Sequence, residues 1–108
     1  MRILFDHNAP APLIPFLHGH VVTLARDPGW YRLVDGDLLT IAEQSGFDLL
    51  ITCDQRIQTQ QNLEGRKISL VVLRSSDWRV VQRYVRRIAA AVNACTPGSY
   101  IEVEIPFR

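Results

Sequence analysis

Two short apolar runs of this chain stop on an aspartate: Ile3-Leu4-Phe5 on Asp6, and Leu49-Leu50-Ile51-Thr52-Cys53 on Asp54. A third carboxylate, Asp37, with Asp35 just before it, stands where a helical pattern begins. If the apolar runs are parallel strands, all three places fall on the carboxyl edge of one sheet, where open α/β folds bind their ligands. Carboxylates gathered there repel one another and raise their pKa values unless a cation neutralises them. An all-oxygen donor set suits Mg2+ or Mn2+ better than zinc. Each aspartate alone also has a plainer use, because aspartates cap helices and close turns. The coincidence of two strand ends and one helix start is what points to a divalent site.

The elements that must hold these residues are legible from hydrophobic period. Strands are expected at 3–5, 20–24, 48–53 and 68–73, with lengths and compositions that suit burial on both faces under helices. A helix is expected over 37–45, with Leu38, Leu39, Ile41 and Ala42 on one side and Gly46 as its stop. A longer one is expected over 78–95, where Val81, Tyr84, Val85, Ile88 and Val92 recur at three and four. Ser76 or Asp77 caps its start. Over 9–17 a helix is strained by Pro15, which should kink or delay it. Residues 100–105 alternate strictly, as on a strand with one wet face at a sheet edge. Asp27-Pro28-Gly29 reads as a turn, and Gln55, Gln58, Gln60 and Gln61 as a solvated stretch. These elements add up to one α/β domain over 1–108, three layers deep (α/β/α), with a mostly parallel sheet of about five strands.

Composition narrows the function classes. The 108 residues carry twelve basic and eleven acidic side chains, a formal charge of +1, which excludes a strongly basic coat or an acidic tail. The distribution says more than the total. Residues 1–50 hold three arginines against six carboxylates, whereas residues 51–108 hold nine basic against five acidic groups. Arg79, Arg83, Arg86 and Arg87 form a stripe on one helix that could hold an RNA backbone or an acidic partner, or be a solvated face. Cys53 and Cys95 lack zinc-site spacing, and Cys53 reads as a small buried hydrophobe. His7 follows Asp6 and could ligate a metal, whereas His18 and His20 suit surface or capping roles. Trp30 and Trp78 read as core or cap-packing aromatics. No apolar run approaches the roughly 18 residues of a membrane span, and Asp6 comes too early for a signal-peptide core. A cytoplasmic protein is expected.

Three motifs resemble those of small PIN-like domain proteins. Met1-Arg2-Ile3-Leu4-Phe5-Asp6-His7-Asn8-Ala9-Pro10 is similar to their opening, in which Asp-Glu-Asn-Leu-Pro follows the first strand. Asp37-Leu38-Leu39-Thr40-Ile41-Ala42 resembles their second acidic motif, and Leu50-Ile51-Thr52-Cys53-Asp54-Gln55 their strand ending in Thr-x-Asp. Residues 54–63, then Val71-Val72-Leu73 and Trp78, look like one subgroup, so the resemblance runs to about residue 80. It implies a Mg2+- or Mn2+-dependent ribonuclease, in many relatives the toxin of a toxin–antitoxin pair. Asp6, Asp37 and Asp54 would be the catalytic metal ligands, with Asp35 competing for the second place, and Asn8 and Thr52 would support them by hydrogen bonds. The ion would position and activate a water for attack on phosphorus.

The chain departs from this pattern at two motif positions, and the additional acidic residue that full PIN nucleases bring from a helix is expected to be missing. The family's glutamate after the first aspartate is His7, and a carboxylate two residues past Asp54 is Arg56, which could instead contact a phosphate. Fewer carboxylates mean weaker metal binding. A PIN-like module that binds RNA or a partner without cutting is therefore the alternative. A phosphoacceptor receiver-like domain is a remote one, since such a domain also ends its first and third strands in aspartate. RNA, an antitoxin protein and a second copy of the chain, paired through the 100–105 edge, are the expected partners.

Overall fold

Every residue of β3 (Leu49–Thr52) and β4 (Ser69–Leu73) is buried, as strands covered on both faces must be when their composition is nearly all apolar. They lie at the centre of a five-stranded, wholly parallel sheet with β1 (Arg2–Phe5), β2 (Val21–Leu24) and β5 (Tyr100–Val103), in the order β2-β1-β3-β4-β5. The structure, a computed structural model, describes residues 1–26, 29–30, 33, 35–57 and 63–106, and only the backbone of 35 and 36. The expected turn at residues 27 and 28 and the glutamines at 58, 60 and 61 lie outside the described residues.

Alternation along the strands sends side chains to two cores. Ile3, Phe5, Leu49, Ile51, Val71 and Leu73 share one face with Leu13, Ile88 and Val92. Leu4, Leu50, Leu70 and Val72 share the other with Leu38, Leu39 and Ala42. The second group comes from α1 (Asp35–Gln44), which begins two residues before the expected start. On the first face lie a 3₁₀ helix, Ala11–Phe16, and the helical run after β4. The three-layer α/β/α architecture is thus as expected.

Three elements differ from expectation. Pro15 sits inside the Ala11–Phe16 segment, and the chain there takes the tighter 3₁₀ form in place of an α-helix. The long helix is not continuous: α2 (Trp78–Val81) passes through a 3₁₀ turn, Gln82–Tyr84, into α3 (Val85–Ala94). Tyr84, at φ −122° and ψ 20°, has left helical geometry, and the Gln82 side chain donates to the Arg79 carbonyl at 3.3 Å. Asp77 caps α2 by accepting from the Arg79 amide. Finally β2 is an edge strand, with Val21 66% exposed, because among the described residues no further strand pairs with it.

The crossovers place the site. Those from β1 to β2 and from β4 to β5 pack on the same face while stepping in opposite directions along the sheet, so they have opposite hands. The last helical run therefore leaves the α1 face of β5 without a helix over it, whereas Leu70 and Val72 of β4 stay buried there against Ile57 and Ile68. Glu102 and Glu104 point to water there. No helix among the described residues is long and apolar enough to cross a membrane.

Candidate acidic site at the carboxyl edge

Asp6 directly follows β1, and its amide still donates to the Ile51 carbonyl at 2.9 Å, so the sheet ladder holds the residue in place. Strand alternation turns its side chain to the α1 face, where it is 3% exposed. A carboxylate buried this far needs hydrogen bonds. Oδ2 accepts from the Thr52 hydroxyl at 2.8 Å, and Oδ1 accepts from the His7 amide at 2.8 Å. The His7 ring, itself largely exposed, brings Nδ1 to 3.0 Å from the same Oδ1.

Thr52 ends β3 one strand away and also serves the second aspartate. Its Oγ1 accepts from the Asp54 amide at 3.1 Å, so one hydroxyl links the Asp6 carboxylate to the Asp54 backbone. Asp54 lies on the same side of the sheet as Thr52, two residues on. Its Oδ1 accepts from the Arg56 amide at 3.0 Å and lies 3.9 Å from Arg56 Nε. Asn8 Oδ1 accepts from the Cys53 amide at 3.0 Å and stands 3.3 Å from the Thr52 hydroxyl. Asn8 and Thr52 thus tie the ends of β1 and β3 together. Cys53 points to the opposite core, where burial, and after it the charge of Asp6, pushes its thiol up to about 12. It is a neutral thiol, donating to the Ser75 carbonyl at 3.5 Å.

The other expected ligands are not drawn into this network. Asp37 is exposed in the first turn of α1, whose start faces the carboxyl edge because the helix runs back toward the beginning of β3. The side chain of Asp35 lies outside the described residues. Among the described residues, no three His, Cys, Asp or Glu side chains stand close enough to hold one metal ion.

The arginine stripe is elsewhere. Arg79, Arg83, Arg86 and Arg87 ride on α2, the 3₁₀ turn and α3, over the face of the sheet opposite Asp6 and Asp54. Arg79 is held by its own helix cap, with Nε 3.2 Å from Asp77 Oδ1 and Nη2 3.0 Å from Oδ2. Arg87 donates to the Glu104 carbonyl at 2.9 Å and lies over the Tyr84 ring. Arg83 and Arg86 are exposed. His20, for its part, joins the terminal amine of Met1 to Asn93 at the far end of the strands.

Two arginines that the motif pattern passes over flank the acidic pair. Arg26 follows β2 by two residues, and Phe5 pairs with Leu24, which puts Arg26 level with His7. A small concavity between these strand ends and the start of the 3₁₀ helix, at Ala9 and Ala11, is lined also by Asp6, His7 and Arg26. Arg74 directly follows β4, and the pairing of Thr52 with Val72 puts it level with Asp54, on the same face. Its Nη1 lies 3.3 Å from Glu102 Oε2 and its Nε 3.9 Å from Glu104 Oε1. The Tyr100 hydroxyl donates to the other Glu102 oxygen at 2.9 Å. The signal for both arginines is the one that marks the aspartates, a charged residue at a strand end. Compared with models of known families, with characterised proteins and with solved structures, the chain matches none, and the likeness to PIN-like proteins rests on its three acidic motifs.

Proposed function

We propose that this chain is a PIN-like, metal-dependent ribonuclease whose centre is Asp6 and Asp54. The observation that carries this reading is a buried carboxylate at a ligand-binding edge, oriented by Thr52 and joined through that hydroxyl to a second aspartate. A site built only to close a turn has no use for a carboxylate 3% exposed.

Asp6 and Asp54 offer oxygens of the kind a hard cation takes, and the start of α1, with Asp37, faces the same edge without standing close enough, among the described residues, to complete the set. Mg2+ or Mn2+, when bound, supplies Lewis-acid stabilisation of the charge that develops on the phosphate oxygens. The chain's own residues do the rest. Thr52 fixes the Asp6 carboxylate, Asn8 holds the backbone at Cys53, and Arg56 stands beside Asp54 as a phosphate contact. The cellular setting that fits is the cytoplasm. In the toxin role that the resemblance implies, the partner is an antitoxin protein, for which the stripe of α2 and α3 is the docking surface.

A second reading, RNA or partner binding without cleavage, is favoured by one observation. His7 and Arg56 stand where the family carries carboxylates, and each approaches one of the two remaining aspartates, at 3.0 Å and 3.9 Å. Digestion of a labelled single-stranded RNA with Mn2+, and with EDTA as control, separates the two. On the first reading Thr52→Val lowers cleavage about 10–100-fold, the usual cost of removing a partner behind a ligand, and Asp6→Asn or Asp54→Asn lowers it further. RNA retained but uncut by the wild type supports the second reading. Undiminished cutting by the Asp6→Asn/Asp54→Asn variant refutes the first.

A further inference from the structure

Four neighbouring strand ends carry, in spatial order, Arg26 after β2, Asp6 after β1, Asp54 after β3 and Arg74 after β4. Neighbouring strands are about 4.8 Å apart, so the two arginines stand roughly 14 Å from one another with the acidic pair between them. We propose that Arg26 and Arg74 are the phosphate contacts of a single-stranded nucleic acid laid across the carboxyl edge, one on each side of Asp6 and Asp54. This deepens the ribonuclease reading and rests on it for the identity of the polyanion.

The two arginines suit the task in different ways. Arg74 is held but not used up: among the described residues its guanidinium makes one hydrogen bond, to Glu102, and Glu102 is steadied in turn by the Tyr100 hydroxyl. Glu104 lies 3.9 Å off and is 72% exposed, so a phosphate can take its place without breaking the Glu102 contact. Arg26 is exposed beside the concavity that reaches Asp6. A phosphate at each guanidinium is held on one side of the acidic pair, and the charge of the two carboxylates keeps it from sliding between them. The stripe on α2 and α3 lies over the sheet face opposite Asp6 and Asp54. An uninterrupted positive groove would bind any polyanion, whereas the order basic, acidic, acidic, basic selects one whose charges are spaced and flexible. That favours a single strand, which bends across a sheet edge as a duplex does not.

Fluorescence anisotropy in EDTA tests this without calling on catalysis. The probe is a labelled single-stranded RNA of about 16 nucleotides, with DNA of the same sequence and the RNA duplex as further arms. Wild type, Arg26→Ala/Arg74→Ala, Arg26→Lys/Arg74→Lys and Arg79→Ala/Arg83→Ala/Arg86→Ala are compared, with circular dichroism melts to confirm folding. The alanine pair should bind about tenfold or more weakly and reduce the salt slope by about 1.4, for two contacts on a single strand. The lysine pair should recover part of the affinity, and the stripe variant should bind within about twofold of wild type. Unchanged binding by the alanine pair, loss of binding by the stripe variant, a duplex bound as tightly as the single strand, or no binding by the wild type overturns the proposal. Binding lost in the alanine pair, with wild-type RNA never cut when Mn2+ is added, keeps the proposal and removes the nuclease.

Discussion

Thr52 shows how much one side chain can organise. A hydroxyl has one proton to give and two lone pairs to receive with. Here the proton goes to the buried Asp6 carboxylate while the oxygen receives the Asp54 amide. Valine at this position would fit the strand equally well and would leave Asp6 short of a partner. Two other residues contribute to the response to alkali. Cys53 is pushed up from 9.0 to about 12, by burial first and by Asp6 second. Tyr100 is pushed up from 10.0 to about 12, by burial first and then by its hydrogen bond to Glu102. Both are raised in the folded state, so the unfolded chain sheds these protons at lower pH than the folded one. Their contribution to stability is complete below the unfolded values and is lost as pH rises toward about 12. Urea midpoints should therefore fall between about pH 9 and pH 11.5, and fall less in the Cys53→Ser/Tyr100→Phe variant. Equal slopes for the two proteins would rule these groups out as the cause.

At the scale of elements, legibility depended on whether local geometry or the neighbours decided the outcome. The end of α1 was readable at Gly46 because a local backbone rule governs it. Gly46 has φ +85°, its amide donates to the Glu43 carbonyl, and the next amide, of Phe47, donates to the Ala42 carbonyl. A Cβ at Gly46 would come within 2.7 Å of Arg2 Nη1, a guanidinium that stacks over Phe47 and donates to the Ser45 carbonyl. Gly46→Ala should cost about 1–2 kcal/mol, mostly from the left-handed backbone, and lower the urea midpoint without changing the slope. An unshifted midpoint would mean that the turn relaxes to another conformation. Pro15 was equally readable as an obstacle, though not the 3₁₀ form that results. The break at Gln82–Tyr84 was not readable, because the apolar spacing of Val81, Tyr84, Val85 and Ile88 suits an unbroken helix. Val80 and Val81 before the break and Ile88 and Val92 after it are buried in the same core.

The whole molecule is ordered by the sheet. The sequence 2-1-3-4-5 is the strand order also used by flavodoxin-like and receiver-like domains, so order alone separates no functions. The hand of the last crossover adds information: by taking the 3₁₀ helix's side, it bares Arg74, Glu102 and Glu104 beside the acidic pair. The same topology grades local stability. β3 and β4 are fully buried, whereas β2 is an edge with partly exposed residues throughout. Amide exchange should be slowest in Leu50, Ile51, Val71 and Val72, and at least about tenfold faster in Val22 and Thr23. Uniform protection across the five strands would show that β2 opens only with the whole domain.

The amino-acid sequence by itself determined the α/β class, the strand ends at Asp6 and Asp54, the stop at Gly46 and the cap before Trp78. Each depends on contacts within a few residues or on a simple period of apolar side chains. Only the tertiary structure decided which charged residues are neighbours. Strand order and register bring Thr52 to Asp6, and set Arg74 level with Asp54 across strands twenty residues apart in sequence. The hand of the last crossover sends the arginine stripe to the other face. Charge along the chain therefore suggested a cation site beside the stripe, whereas the folded sheet flanks its acidic pair with Arg26 and Arg74.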